Sequence, residues 1–251
     1  MHDPKKGERE YYARIGEAGR QHALRKPFDG QERTMRYLSD FSAMLSLMRP
    51  PPARVVEFGC GTGWLSLMFA ETGYEVIGVD IAPEAIALAE QERQRRHVPH
   101  ASFQVADFED VAINLPTHYV IFYDALHHAE SAEEAVRAGY RTLSGGGVMM
   151  CFEPGEGHSG TAESRRAVEE FGVHENDMPP SKIIALGERV GFRRHTVLPL
   201  PQDYLRQFYR PGYTKGTSPR DLRGRQLLSL WRINRWFFRP RRTGLVLLFK
   251  D

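Results

Sequence analysis

Residues 54–63 read RVVEFGCGTG, and Trp64, Leu65, Ser66, Leu67 and Met68 follow directly. Val55, Val56 and Phe58 form a β-branched and aromatic run that is too short for a helix and suits a buried strand. Gly59, Gly61 and Gly63 then fall at alternate positions. Glycine tolerates positive φ and lets a ligand come close to the backbone. Apolar residues resume at helical spacing with Trp64, Leu65, Met68 and Phe69. Strand, glycine turn and helix N-terminus in this order present unpaired N–H groups and the positive end of a helix dipole to a ligand.

Dinucleotide-binding folds use such a turn too, spaced G-x-G-x-x-G. Here the spacing is E-x-G-x-G-x-G, with Glu57 at the end of the strand. Pointing into the ligand crevice, that carboxylate would repel a pyrophosphate and suit a ligand with an amino group and a positive charge. A second strand, EVIGVD from Glu75 to Asp80, ends in an acid 17 residues after Gly63. An acid at that tip hydrogen-bonds ribose hydroxyls in open α/β folds.

VVEFGCGTGWLSLMFA followed by VIGVDIAPEAIALA resembles the first two motifs of class I S-adenosylmethionine-dependent methyltransferases. The resemblance runs from Arg54 to about Phe192, with a last strand near the C-terminus; a Rossmann-like domain for NAD is the competing reading. It implies an α/β fold: a Rossmann-like seven-stranded sheet of order 3-2-1-4-5-7-6, strand 7 antiparallel, with helices on both faces. It also implies S-adenosyl-L-methionine as cofactor, with S-adenosyl-L-homocysteine as product. The cofactor-binding positions it carries over are Glu57, Phe58, Gly59, Cys60, Gly61, Gly63 and Trp64 on the first motif. Asp80 and Ile81 follow on the second. Asp107 reaches the adenine amino group, Phe108 packs on the ring, and Asp124 lies on the cofactor side after the fourth strand. An N-cap for the following turn is the plain alternative for Asp107.

At 251 residues, 41% hydrophobic and 26% charged, the chain suits one α/β domain with additions. We read residues 1–52 as an N-terminal helical cap and 53–251 as the methyltransferase domain, with insertions at 153–180 and 203–242. No apolar run approaches the roughly 20 residues that span a bilayer, and MHDPKKGERE lacks a signal-peptide core. Cys60 and Cys151 read as small core residues of a reducing compartment, so a cytoplasmic location is expected. The net charge of +2 hides an asymmetry, because 203–242 holds 11 Lys or Arg against Asp203 and Asp221. Such a patch can meet nucleic acid, anionic lipid or a phosphorylated substrate.

In chain order, Glu8–Arg25 is polar and helix-permissive. Met35, Leu38, Phe41, Met44, Leu45 and Met48 make an amphipathic stripe that Pro50, Pro51 and Pro52 end. Tyr11, Tyr12 and His22 either face a substrate or simply pack. Pro83 opens a helix. Strands are expected at 101–105, 118–123, 148–152, 195–198 and 244–250, and helices at 133–143 and 181–190. The insertion at 153–180, EPGEGHSGTAESRRAVEEFGVHENDMPP, leaves a strand's carboxyl end and should overhang the crevice.

The sequence after the fourth strand, YDALHH, is similar to the corresponding motif of many small-molecule O- and C-methyltransferases. It offers Asp124, His127 and His128 where the donor methyl should lie. A neutral histidine suits removal of a hydroxyl proton at neutral pH. We assign His127 as general base and Asp124 as orienting group. Adjacent histidines should not share one face, so only one of His127 and His128 is expected to reach substrate; the alternative is that both cap the next helix. No N-P-P-Y or D-P-P-Y follows the strand, which disfavours amino-group methylation of DNA or protein glutamine.

Glu153 and His158 are candidate substrate-binding residues, able to hydrogen-bond sugar hydroxyls. Glu153, His158, His174, Glu175 and Asp177 lack metal-ligand spacing such as H-x-x-x-H, so no metal is expected. Residues 220–238 read as a helix mixing aromatics with arginines, suited to a membrane interface, an anionic substrate or a second subunit. The expected partner is a small-molecule acceptor, with a saccharide or glycolipid precursor indicated by a weak likeness of EPGEGHS to loops of surface-glycan methyltransferases. Nucleic acid is disfavoured for want of an RNA-binding motif. An RNA methyltransferase using the basic segment, or a non-catalytic cofactor-binding subunit, are the other functional readings.

Overall fold

The computed structural model describes residue 3 and residues 5–209, 227–228 and 243–251. The basic segment beyond Tyr209, including nearly all of the helix expected at 220–238, lies outside the described residues. Helices α1 (Lys6–Arg14), α2 (Gly16–Arg25) and α3 (Gln31–Leu47) precede the first strand. Then come β1 (Arg54–Phe58), α4 (Trp64–Glu71), β2 (Glu75–Asp80), α5 (Pro83–Arg95), β3 (Ala101–Val105) and β4 (Tyr119–Tyr123). After a short 3-10 turn at Leu126–His128 follow α6 (Ala132–Thr142), β5 (Val148–Phe152), α7 (Ala162–Phe171), α8 (Pro180–Val190), β6 (Arg194–Leu198), α9 (Pro201–Phe208) and β7 (Leu245–Phe249).

The seven strands form one sheet in the order β3-β2-β1-β4-β5-β7-β6, as the resemblance implied. β7 runs antiparallel to both β5 and β6, and the other pairs are parallel. Alternation along the strands divides the core between two faces. Val56, Phe58, Val120, Phe122, Met149 and Cys151 meet Val136, Ala138, Ile183 and Leu186 of α6 and α8. Val55, Ile121, Tyr123, Met150 and Phe152 meet Tyr37 and Met44 of α3 and Leu65 and Phe69 of α4. The amphipathic stripe of α3 is therefore part of the sheet's own core. Helices start and stop on local chemistry: the Ser131 and Thr161 side chains accept the N–H groups of Glu134 and Ser164, and Gly172 ends α7 at φ 72°. Cys60 and Cys151 are both buried and free, and among the described residues no helix is long and apolar enough to cross a membrane.

Gly63 turns β1 into α4 at φ 74°, and a Cβ there would lie 2.6 Å from the Phe103 ring and 2.9 Å from the Ala89 methyl. Gly63→Ala should therefore destabilise by about 1–3 kcal/mol, from a strained φ and an overpacked contact. For a chain of this size that is a melting temperature lower by roughly 2–12 °C. An unchanged transition by calorimetry would show that the turn relaxes freely.

Asp40, on α3, is buried with its Oδ2 accepting the Tyr123 hydroxyl at 2.8 Å, while its Oδ1 has no hydrogen-bond partner. Burial raises its pKa from 3.8 to about 6, against the opposing pull of Tyr123 and Arg36. A folded-state pKa above the unfolded one means the protonated acid favours the fold. That contribution is complete below about pH 3.8 and is lost as pH rises through about 6. Asp40→Asn, neutral throughout, should gain on the wild type by on the order of 1–3 kcal/mol between pH 4 and pH 7.5 in urea titrations. A stability gap that does not change with pH would refute this.

Candidate active site

The carboxyl ends of β1, β2, β4 and β5 open onto a cavity of about 470 Å³, a size ordinary for small-molecule sites. Gly59 and Gly61 of the glycine turn form part of its wall, with Asp80, Ile81, Asp107 and Phe108 beside them. Gly61 has φ 52°, and a Cβ there would meet the Tyr12 side chain, its hydroxyl 2.5 Å and its Cζ 3.6 Å away, so Tyr12 stands over the turn at this point.

Asp80 is fixed at the strand tip by two backbone donors: Gly61 N–H to Oδ2 at 2.8 Å and Ala82 N–H to Oδ1 at 2.9 Å. Burial raises its pKa while those donors oppose the rise. Asp107 accepts the Glu109 N–H at 2.9 Å and the Lys5 ammonium at 2.6 Å, so it makes its own local turn and also faces the cavity. Lys5 in addition lies 2.8 Å from Glu109. Asp124, at φ 49°, pairs with Arg36 across the opposite wall.

Five of the positions carried over for the cofactor do not line the cavity. Glu57 lies behind the glycine turn, 2% exposed, where the Ser66 hydroxyl donates to it. Burial lifts its pKa to about 8. Phe58, Cys60 and Trp64 are buried in the cores or beneath the turn, and Gly63 packs on Phe103. Their side chains shape the turn from behind.

The 3-10 turn after β4 brings both His127 and His128 to the cavity, their ring centroids 4.0 Å apart. The expectation that only one could face it is corrected, because a tight 3-10 turn does not send successive side chains to opposite sides as a strand does. Glu153 is buried behind them and off the cavity wall. Its Oε1 accepts the Ala125 and Leu126 N–H groups at 3.0 and 2.8 Å, and its Oε2 accepts the His127 N–H at 3.3 Å and meets His127 Nδ1 at 2.7 Å. Burial raises its pKa to about 7 against those donors. Three backbone N–H groups donate to its two oxygens, which favours the ionised form; with Glu153 ionised, His127 carries its proton on Nδ1 and leaves Nε2 bare. Burial and the neighbouring His128 hold the His127 pKa well below the usual histidine value. Burial opposes charge on His128 as well, yet Glu8 and Glu175 lift it to about 9, and its Nδ1 donates to the His174 carbonyl at 2.7 Å.

The insertion after β5 does overhang the crevice. Pro154, His158, Glu163, Ser164, Val173 and Glu175 all line the cavity. His158 Nε2 meets Glu175 Oε2 at 2.5 Å, and His127 Nε2 lies 3.9 Å from the same oxygen. From the other side α1 and the end of α2 supply Lys5, Glu8, Tyr11, Tyr12 and Lys26. Sequence reasoning missed Lys5, Glu8, Lys26 and Arg36. The Tyr11-Tyr12 pair in an otherwise polar stretch was the one hint that this region reaches the site.

Residues 55–147 match the family described as methyltransferase domain. An S-adenosyl-L-methionine-dependent Diels-Alderase of Talaromyces variabilis is 35% identical over 111 residues, covering 43% of this chain and 38% of that protein. A ubiquinone biosynthesis O-methyltransferase of Xanthomonas campestris is 32% identical over 102 residues, covering 40% and 42%. The chain thus spans roughly two-fifths of the length of these relatives. Among solved structures, magnesium protoporphyrin IX methyltransferase of Synechocystis with bound S-adenosylhomocysteine superposes with TM-score 0.61 at 17% identity, covering 99% of this chain and 100% of that one. Phosphoethanolamine N-methyltransferase 2 of Haemonchus contortus, bound to phosphomonomethylethanolamine and S-adenosylhomocysteine, gives 0.63 at 15%, covering 99% and 60%.

Proposed function

We propose that this chain, which belongs to the class I S-adenosylmethionine-dependent methyltransferase family, methylates a hydroxyl oxygen of a small molecule, with a saccharide or glycolipid precursor as acceptor class. The observation that carries the reading is the His127–Glu153 pair, which with Glu153 ionised leaves an unprotonated imidazole nitrogen on the cavity wall.

The residues present fit the cofactor. The glycine turn at Gly59 and Gly61 and the fixed carboxylate of Asp80 suit its amino-acid and ribose parts, and Asp107 with Phe108 suits the adenine. S-adenosylmethionine, when bound, supplies a methyl already activated on a sulfonium. The chain's task is then to place an acceptor oxygen and handle its proton. His127 Nε2 takes the hydroxyl proton as the oxygen gains its bond to carbon, and Glu153 holds the Nδ1–H and steadies the resulting imidazolium. S-adenosylhomocysteine and the methyl ether are the products, with one proton left on His127 for solvent.

The acceptor class draws on two supports. The curated relatives named as O-methyltransferases match over about two-fifths of the chain. The loop read as sugar-facing contributes Pro154 and His158, and Glu8, Glu163 and Glu175 add acceptors suited to several hydroxyls. The likeness to a Diels-Alderase gives the second reading, in which the cofactor is held and not consumed.

Calorimetric titration with S-adenosylhomocysteine, run beside NAD, tests the cofactor. Binding of S-adenosylhomocysteine alone is expected, weakened about 10–150-fold in Asp80→Ala through lost charge-assisted hydrogen bonds. Binding of NAD instead would overturn the reading. Release of S-adenosylhomocysteine on adding sugar or glycolipid acceptors tests the transfer; acceptor turnover without it would favour cyclase-type chemistry.

A further inference from the structure

We infer that His127, His158 and Glu175 form a binding site for a divalent transition-metal ion on the acceptor side of the cavity. The three residues come from three separate stretches: the 3-10 turn after β4, the loop after β5, and the return to α8. That is why no ligand spacing was visible in the sequence, and the sequence-based expectation of no metal is revised here. One donor atom from each lies within 4.8 Å of the other two. The Glu175 Oε2 separations of 2.5 Å from His158 Nε2 and 3.9 Å from His127 Nε2 bracket the roughly 3.3 Å expected between two donors that each sit about 2.0–2.1 Å from one tetrahedral ion.

Two further features point the same way. His127 has its other nitrogen bound by a buried carboxylate, Glu153, at 2.7 Å, the arrangement that orients a metal-bound imidazole and fixes its tautomer. Two imidazoles and one carboxylate form an incomplete set that leaves coordination positions open toward the cavity, as catalytic sites do and closed structural sites do not. The ligand chemistry, nitrogen with a single carboxylate, fits zinc, cobalt, manganese or iron better than calcium or magnesium, which prefer all-oxygen shells.

The site itself stands on these side chains; what fills its open positions rests on the O-methylation reading, and would be the acceptor oxygen. With a cation bound, His127 Nε2 becomes a ligand and no longer accepts the proton. A cation held there would make the acceptor hydroxyl easier to ionise, and its proton would pass to solvent instead of to His127.

The test uses full-length protein stripped with a chelator and titrated with cobalt(II), read by visible absorption and calorimetry, with zinc(II) as competitor. One cobalt per chain is expected, with the d–d bands of a four- or five-coordinate ion. His158→Ala and Glu175→Gln should weaken binding at least tenfold, and Glu153→Gln about 10–100-fold. S-adenosylhomocysteine titration of each variant establishes that it is folded. Absence of the bands, or equal affinity in wild type and both ligand variants, would overturn the metal site. Methylation by stripped protein would then still uphold the O-methylation reading. Cobalt bound as expected with no hydroxyl acceptor ever methylated would reject that reading and leave the site standing.

Discussion

Glu153→Gln should lower the turnover of metal-stripped protein about 10³–10⁴-fold, by analogy with catalytic triads in which the orienting carboxylate becomes an amide. The argument is one of tautomers. The amide keeps one oxygen, which can still accept the Ala125 and Leu126 N–H groups that meet Oε1 at 3.0 and 2.8 Å. Its NH₂ then replaces the oxygen that meets His127 Nδ1 at 2.7 Å. Two donors cannot face each other, so His127 moves its proton to Nε2 and presents an N–H where a base is needed. S-adenosylhomocysteine affinity should hardly change, since Glu153 is off the cavity wall. Glu153→Ala should behave differently: it strands three buried N–H groups, at about 1–3 kcal/mol each, and shows first as lost stability. Full turnover in Glu153→Gln, with the pocket intact by calorimetry, would remove Glu153 from the mechanism.

The same residue shows where reading from sequence alone stops. The order of the strands was legible because each is written locally, as were the alternate glycines, Pro83 at a helix start and the apolar stripe of α3; α7 and most of α9 lie in segments read only as insertions. Asp80, Asp107, Asp124 and His127 were legible because a strand's carboxyl end in this architecture is a fixed place. Which way a strand-tip side chain turns is not written locally. Glu57 and Glu153 were both expected at the ligand, and both face the protein, one toward Ser66 and the other toward the backbone of residues 125–127. In each case the chain supplies donors from another element, and only the folded structure brings them into range.

Contributions from the N-terminal helices were illegible for a related reason. Lys5 reaches Asp107 across 102 positions, and Arg36 reaches Asp124 across 88. Nothing in a polar, helix-permissive stretch marks one lysine among many as the one that packs over a ligand site. The meeting of His127, His158 and Glu175 is of the same kind, since its spacing belongs to the loop closure of 153–178 and not to any single helix or strand.

His127→Ala carries the other large expected effect. Turnover of the metal-stripped protein should fall about 10²–10⁴-fold, the usual worth of a positioned proton acceptor. The affinity for S-adenosylhomocysteine should stay close to that of wild type, because the residues placed for the cofactor lie on the glycine turn and at the tips of β2 and β3. His128→Asn makes the contrast. His128 shares the cavity wall, but its Nδ1 is spent on the His174 carbonyl at 2.7 Å and its ring stands beside Glu8, so its loss should loosen the contact between α1 and the insertion more than it slows chemistry. Single-turnover rates with saturating donor separate the two, since a base acts on the chemical step and a packing residue acts on binding. If His127→Ala and His128→Asn slow the chemical step equally, the proton acceptor is not His127, and the role of Glu153 as its support falls with it.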